Sequence, residues 1–387
     1  MKLSIVIVSY NVKYFLEQCL FSVLKAIDSR ASNDPYSQME IIVVDNASLD
    51  GSIAYLQPKF PFARFICNTE NKGFARANNQ ALAIAGGEYI LFLNPDTVLP
   101  ENILYNCLSF LESHAEAGAI GVCMMDGGGR FLPESKRGDP TAWRSFCKLS
   151  GLSALFPSTK LFAGYNLGHL KQQEVNEVDA LAGAFMMVRK KLIDKTGGFD
   201  ERFFMYAEDI DLSRRIREAG FKNYYLGNEM IIHFKGESTK KNVQQLKLFY
   251  GAMVRYVEKH STGGGSWAII RLLKTGIWIR AAVALVSIPQ QRQRTIRLQP
   301  VWFLGDQYSI DLVKDKLIKT GLFLKEEQGA DTIILCEGAH LSFAGLIEKI
   351  KNLPATKRGL IHAAGSDSIV GSFDKKQKGI TIALTSS

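Results

Sequence analysis

What this 387-residue chain lacks narrows its chemistry before any motif is read. Its six cysteines (Cys19, Cys67, Cys107, Cys123, Cys147 and Cys336) are scattered without metal-ligand spacing, several inside apolar runs. They read as reduced core thiols of a cytosolic protein. The junction after the first apolar run, SYNVKYF, holds no glycine, so the G-x-G-x-x-G of a dinucleotide site is missing. No G-x-x-x-x-G-K-[ST] occurs either, which excludes a phosphate-cradling P-loop. Basic and aromatic residues nowhere alternate as a base-stacking surface requires, so the net charge of +9 does not point to nucleic acid. An anionic membrane or an anionic substrate is the other explanation of a basic chain. The bases concentrate between Lys235 and Lys259 and again between Arg271 and Arg297, which favours a membrane-facing or acceptor-facing surface. The start, MKLSIVIVSYN, has no small-residue cleavage site and reads as a first strand, not a signal peptide. The stretch 267–288 is long enough to span a bilayer but carries Arg271, Lys274 and Arg280 through its length. Charges so placed are costly at a bilayer centre, so it reads as an in-plane interfacial helix or one packed on the rest of the chain.

What is present describes an ordinary globular protein, 47% apolar and 22% charged, long enough for two domains. LSIVIVS (3–9), EIIVVD (40–45) and YILFLN (89–94) are short, nearly continuous apolar runs that suit parallel strands buried on both faces. Between them lie helical patterns, with Phe15, Cys19, Leu20, Val23 and Leu24 on one face and Ala77, Ala81, Leu82 and Ala85 on another. Strand–helix alternation predicts an open α/β sheet, and such sheets bind ligands beyond the carboxyl ends of their strands. Polar residues stand there: Ser9, Tyr10 and Asn11, then Asp45 and Asn46, then Asn94 and Asp96. Each set also suits a turn or a cap; what sets them apart is that all fall at one edge of the same sheet. Asp45 can accept from a base or ribose, and Asp96 can hold Mg²⁺ or Mn²⁺, which prefer carboxylate oxygens and keep positions for phosphate.

The segment GGFDERFFMYAEDIDLSRRIREAGF, from Gly197 to Phe221, predicts an aromatic turn and then a helix. Its acids Glu208, Asp209 and Asp211 come first and Arg214, Arg215 and Arg217 follow, as the helix dipole favours. Dipole and capping account for one or two of these acids. They do not account for Phe203, Phe204, Met205 and Tyr206 leading into a Glu-Asp pair, where apolar walls can tune a carboxylate for proton abstraction. Gly183-Ala184-Phe185 would let a sugar lie close to the backbone, or is simply close packing. His233, after Met230-Ile231-Ile232, is either a satisfied core residue or a site residue. Between Asp126 and Trp143, Arg137 and Trp143 are candidate acceptor contacts.

Seven ordered motifs carry a family resemblance: LSIVIVSYN, IIVVDNASLDGS, NKGFARANNQAL, YILFLNPDTVLP, AGAFMMVRKK, GGFDERFFMYAEDIDLSRRIREAG and HFKGEST. Over residues 1 to 240 the chain resembles family 2 glycosyltransferases of the GT-A fold, nearest to bacterial rhamnosyltransferase-like members. The resemblance implies an α/β, Rossmann-like nucleotide-sugar-binding domain with a mostly parallel sheet. It implies that Ser9, Tyr10, Asn11 and Asp45 line the nucleotide pocket and that Asn71, Lys72 and Asn79 belong to the next nucleotide-facing segment. Asn94-Pro95-Asp96 stands where the family has D-x-D, so Asp96 is the retained metal carboxylate and Asn94 meets sugar or ribose. The resemblance implies that His233 completes the metal or diphosphate site; Lys235 nearby could steady the diphosphate, and Gly236 would let the segment fold over the donor as a lid. Asp209 is the general base of an inverting displacement, with Glu208 orienting acceptor or helix.

The donor so implied is a UDP- or dTDP-linked sugar, and rhamnose in particular. The acceptor is a glycan or lipid-linked hydroxyl in cell-surface polysaccharide synthesis, reached from the cytoplasm by peripheral contact with the inner face of the membrane. A non-catalytic sugar-nucleotide or glycan-binding protein of the same fold is the competing reading, though it would need no base. Beyond the catalytic unit, 241–298 reads as a helical segment and 299–387 as a small parallel α/β domain of unassigned role, in which His340, His362 and Asp367 are candidates for a site.

Overall fold

The computed structural model describes residues 1–28, 38–237, 243–260, 300–320, 324–372 and 379–384, with residues 271, 274–279 and 282. Most of the helix expected over 267–288, and the lid segment after Glu237, lie outside the described residues. The chain runs β1 (Leu3–Ser9), α1 (Lys13–Asp28), β2 (Met39–Asp45), α2 (Ser52–Leu56), β3 (Arg64–Cys67), α3 (Phe74–Leu82) and β4 (Tyr89–Leu93). Every residue of β1 and β4 is buried, which is why continuous β-branched and aromatic runs become strands here. There follow β5 (Thr97–Val98), α4 (Ile103–Ser113), β6 (Ala117–Met125), α5 (Ala142–Ser150), α6 (Leu152–Leu155), β7 (Val175–Val178) and β8 (Phe185–Arg189). The first unit ends with α7 (Lys190–Thr196), α8 (Glu208–Glu218), β9 (Lys222–His233) and α9 (Val243–His260).

These strands form one sheet in the order β3-β2-β1-β4-β8-β6-β9-β5, with β7 added on β9. β1 is parallel to β2 and β4, and β2 to β3. β8 is antiparallel to both β4 and β6, so the start of β8 meets the carboxyl end of β4, with Leu93 opposite Phe185. That reversal gathers the loops that matter at one edge.

The second sheet is built from β10 (Val301–Gly305), α10 (Gln307–Lys319), β11 (Thr332–Cys336), α11 (Phe343–Lys351), β12 (Arg358–His362), β13 (Ser368–Gly371) and β14 (Ile380–Ala383). It corrects the expectation of a parallel domain. β10, β11 and β12 are parallel, but β13 and β14 turn back antiparallel. The connection 363–367 is too short for a crossover, which needs a dozen residues or more. Nor do His340, His362 and Asp367 converge. His362 is buried, its Nδ1 against the Ser368 carbonyl oxygen, and burial pushes its pKa down to about 4. His340 is exposed near Asp306, and Asp367 is paired with Lys59 and Lys316.

The two sheets share a core in which Val12, Phe15, Ile232 and Phe234 meet Leu335, Phe343 and Leu346. Helix α1 turns Phe15, Cys19, Leu20 and Val23 inward, yet it also buries Glu17 and Gln18 completely. The Gln18 amide donates to Ser366 Oγ, Ser368 O and Ser368 Oγ, each at 3.0 Å, and its Oε1 accepts from Ala363 N at 2.8 Å. Glu17 accepts from Ser368 Oγ, Tyr55 Oη and Lys59 Nζ. Glu101, two residues before α4, takes the Phe343 and Ala344 amides at the positive end of α11. Buried polar groups so fully matched fix the docking geometry. Gln18→Ala should cost about 2–3 kcal/mol, since it strands buried partners, and it should lower the urea midpoint. The exposed Gln57→Ala should stay within about 0.5 kcal/mol.

Candidate active site

The carboxyl edge of the first sheet collects the polar strand ends. Ser9 is paired in register with Asp45, and Asn46 N donates to Ser9 O at 2.8 Å. Asp45 is buried, with Oδ2 accepting from Ser48 N and Oδ1 left without a partner. Ser9 Oγ is likewise buried and unpaired. Tyr10 lies half-buried beside it. Asn11 holds a left-handed backbone at φ 53°, and its Oδ1 accepts from Leu49 N at 2.7 Å, so its amide braces the β2 loop.

Asn46, read from sequence as a turn residue, is the hub of the next segment. Its amide donates to Asn71 Oδ1 and Gly73 O, and its carbonyl oxygen accepts from Lys72 N and Asn68 Nδ2. Asn71 and Lys72 are thereby placed beside the Asp45 loop. Asn79 is not: both of its amide atoms are engaged with the Phe199 backbone, tying α3 to the segment before α8. Gly73, at φ 81°, lets α3 start against that segment, because a Cβ there would stand 2.5 Å from Phe204 O.

At the end of β4, Asn94 N donates to Ala184 O at 3.0 Å. Asp96 is buried, with its Oδ1 3.3 Å from His233 Nε2, and Asn94 Nδ2 lies 3.2 Å from the same nitrogen. β5 sets this up by pairing Thr97 opposite His233. His233 Nδ1 is buried without a partner. Lys235 is engaged by Glu134, which leaves the expected contact to a diphosphate unsupported at rest.

Opposite these groups, Tyr206 and Ala207 both adopt left-handed backbone, at φ 74° and 65°, immediately before α8. Non-glycine residues held so are strained, and strain of this kind gathers at functional sites. Asp209 Oδ2 accepts from Arg137 Nη2 at 2.5 Å and from Gly183 N at 3.0 Å, while Oδ1 accepts from Ile210 N at 2.8 Å. Gly183 therefore acts through its amide; a Cβ there would make ordinary contacts only, with Asp209 Cβ at 3.4 Å and the Phe74 ring at 3.6 Å. Capping does not explain Asp211, which is fully buried and pairs with Arg215, Lys259 and His260 because α9 packs against that side of α8.

Residues 4–196 match the model of glycosyl transferase family 2, and residues 141–257 match that of glycosyl transferase family 21. The chain belongs to glycosyl transferase family 2. It is a glycosyltransferase. It is 28% identical over 251 residues to an N-acetylglucosaminyl-diphospho-decaprenol L-rhamnosyltransferase of Mycobacterium tuberculosis, covering 62% of this chain and 78% of that protein. It is 32% identical over 172 residues to rhamnosyltransferase WbbL of Escherichia coli, covering 42% of this chain and 61% of that one. A solved mannosyltransferase of Pyrobaculum calidifontis gives a TM-score of 0.47 at 16% identity, over 74% of this chain and 76% of that chain.

In this glycosyltransferase, sequence reasoning passed over Arg137's contact with Asp209, because the partners are 72 residues apart and meet only through the fold. The sequence offered Arg137 only as a candidate acceptor contact, and the fold instead turns it onto Asp209. Glu208 is buried beside Asp209 with Oε2 unpaired. Burial first, then the Asp209 charge, holds its carboxyl well above the usual range. The folded state therefore keeps a proton that the unfolded chain releases near the ordinary value of 4.5. That proton stabilises the fold fully below the unfolded value, and the stabilisation is lost as pH rises through the folded one. Glu208→Gln should flatten the decline in melting temperature between acid and mildly alkaline pH; an unchanged pH dependence would show that Glu208 is not the group responsible.

Proposed function

We propose that this glycosyltransferase moves a sugar, rhamnose foremost, from a dTDP- or UDP-linked donor to a hydroxyl of a lipid-linked or polysaccharide acceptor in cell-surface glycan synthesis, with inversion at the anomeric carbon. The relatives' printed names support the sugar and the lipid-linked acceptor. One observation carries the chemistry. Of the nine buried side-chain polar atoms left unpaired among the described residues, five belong to Ser9, Asp45, Arg137, Glu208 and His233, all around this edge. Each such atom costs about 1–3 kcal/mol, and a cluster of them at one edge marks where a polar ligand completes the structure.

Ser9, Tyr10, Asn11 and Asp45 are the nucleotide side, with Asp45 Oδ1 free to accept from base or ribose. Asn71 and Lys72 border it, and Asn94 reaches toward the sugar. Asp96 and His233 suit a divalent cation: their donor atoms are 3.3 Å apart, and neighbouring ligands of an octahedral ion at 2.0–2.1 Å stand about 3 Å apart. Among the described residues no group of three or more such donors exists, so phosphate oxygens and water would supply the remaining ligands. Mg²⁺ or Mn²⁺ bound there would offset charge on the departing diphosphate.

Asp209 is the base. Arg137 and the Gly183 amide hold Oδ2 and aim the carboxylate, and Oδ1, which takes one bond from Ile210 N, keeps a lone pair for the acceptor hydroxyl. As that hydroxyl attacks the anomeric carbon, its proton passes to Asp209 and the sugar–phosphate bond breaks. Glu208, protonated beside it, adds no second negative charge and can donate a hydrogen bond.

A donor panel with Mn²⁺ or Mg²⁺ tests this. Asp209→Asn should lower kcat by about 10²–10⁴-fold with donor binding kept, and transfer as fast as wild type would remove Asp209 from the mechanism. Asp96→Ala should weaken metal-dependent donor binding by about tenfold or more; unchanged calorimetric binding would count against the metal assignment. NMR of the product should give the anomeric configuration opposite to the donor's.

A further inference from the structure

One lobe of the molecule has the surface composition of a body that rests on something apolar and negatively charged. From Thr141 to Gln173 the chain carries Arg144, Lys148, Lys160 and Lys171 and no acidic residue. The same stretch exposes Trp143 at 46%, Leu155 at 73%, Phe156 at 47% and Leu161 at 60%. These are not scattered singly. The rings of Phe156 and Phe162 lie 5.2 Å apart, Trp143 and Phe162 6.2 Å, and Trp143 Nε1 donates to Leu161 O at 2.9 Å. A contiguous apolar patch rimmed by cations is what an interface with a bilayer requires. Arg144 and Lys171 are paired with Asp179 and Glu174, so the charge this lobe offers to lipid is that of Lys148 and Lys160.

The lobe is also joined to the base. Tyr165 O accepts from Gly138 N at 2.8 Å, and the Tyr165 hydroxyl meets the side chain of Arg137, the residue that grips Asp209. Lys148 lies over the Tyr165 ring at 5.3 Å and donates to Asn166 Oδ1. Lys136 anchors the far side through the Leu167 and Leu170 carbonyls. Among the described residues no helix is long and apolar enough to cross a membrane, so contact here would be shallow.

We propose that this lobe, α5 and α6 with the turn to Phe162, docks the glycosyltransferase on an anionic bilayer and presents a membrane-held acceptor to Asp209. The proposal rests on the reading of a lipid-linked acceptor. Lys148 and Lys160 meet lipid phosphates while Trp143, Leu155, Phe156 and Leu161 enter the interfacial layer.

Sedimentation of the full chain with vesicles of phosphatidylglycerol and phosphatidylcholine tests it. The wild type should pellet, and Leu155→Ser/Phe156→Ser/Leu161→Ser should lose partition by about tenfold or more. Lys148→Glu/Lys160→Glu should lose it as well, while vesicles of phosphatidylcholine alone bind all three weakly. Brominated acyl chains should quench tryptophan fluorescence less in Trp143→Phe than in wild type. Equal pelleting of wild type and the triple variant overturns the proposal, as does a patch whose only effect is to convert a dimer to a monomer on size exclusion. Donor hydrolysis without vesicles keeps the two readings apart. The triple variant should retain it and Asp209→Asn should lose it. Vesicle binding that depends on the patch, with hydrolysis intact in Asp209→Asn, would uphold the surface and overturn the base.

Discussion

The antiparallel pairing of β8 with β4 is the constraint on which the rest of this molecule depends. Five residue pairs, from Tyr89–Arg189 to Leu93–Phe185, place the start of one strand at the carboxyl end of the other. Had β8 been parallel, Gly183 would lie at the opposite edge, some five strand residues away, or about 17 Å. Because it is antiparallel, the backbone before β8 faces the loop after β4, and Asn94 and Ala184 share a hydrogen bond. Asp209 then needs only the Gly183 amide to be drawn toward the Asp96–His233 side.

Charge in this edge is divided, not pooled. Asp209 is gripped by Arg137, whereas Glu208, just before it in the chain and more deeply set, has its carboxyl held above the usual range by burial and by its neighbour's charge. A proton kept on Glu208 spares the helix start the repulsion of two adjacent carboxylates. The strained Tyr206 and Ala207 backbone is part of the same arrangement, since it directs both side chains away from ordinary capping geometry. Asp211, one turn away in function though only two residues on, belongs instead to the packing of α9.

The second sheet bears on the first through buried polar contacts. Glu17 and Gln18 leave a helix whose other face is apolar and meet Ser366, Ser368 and the Ala363 amide. The helix they sit on begins four residues after Ser9. A shift in how the second sheet docks would therefore reach the Ser9–Asp45 edge through α1, because packed elements move as units.

Sequence by itself determined the strands, their polar carboxyl ends and the acid pair. Continuous burial writes LSIVIVS and YILFL as apolar runs, and carboxylates stand at Asp45 and Asp96 beyond strand ends and at Asp209 in the first turn of α8. Those signals are local, so they survive in a single chain. Tertiary structure alone decided which carboxylate meets which partner. Arg137 finds Asp209 across 72 residues, Asn79 is taken up by Phe199 and not by the nucleotide side, and Lys235 is taken up by Glu134. It also reversed β13 and β14 and separated His340 from His362. The physical reason is the same throughout: a side chain's partner is set by the distance between backbone elements after folding, and sequence separation carries no information about that distance.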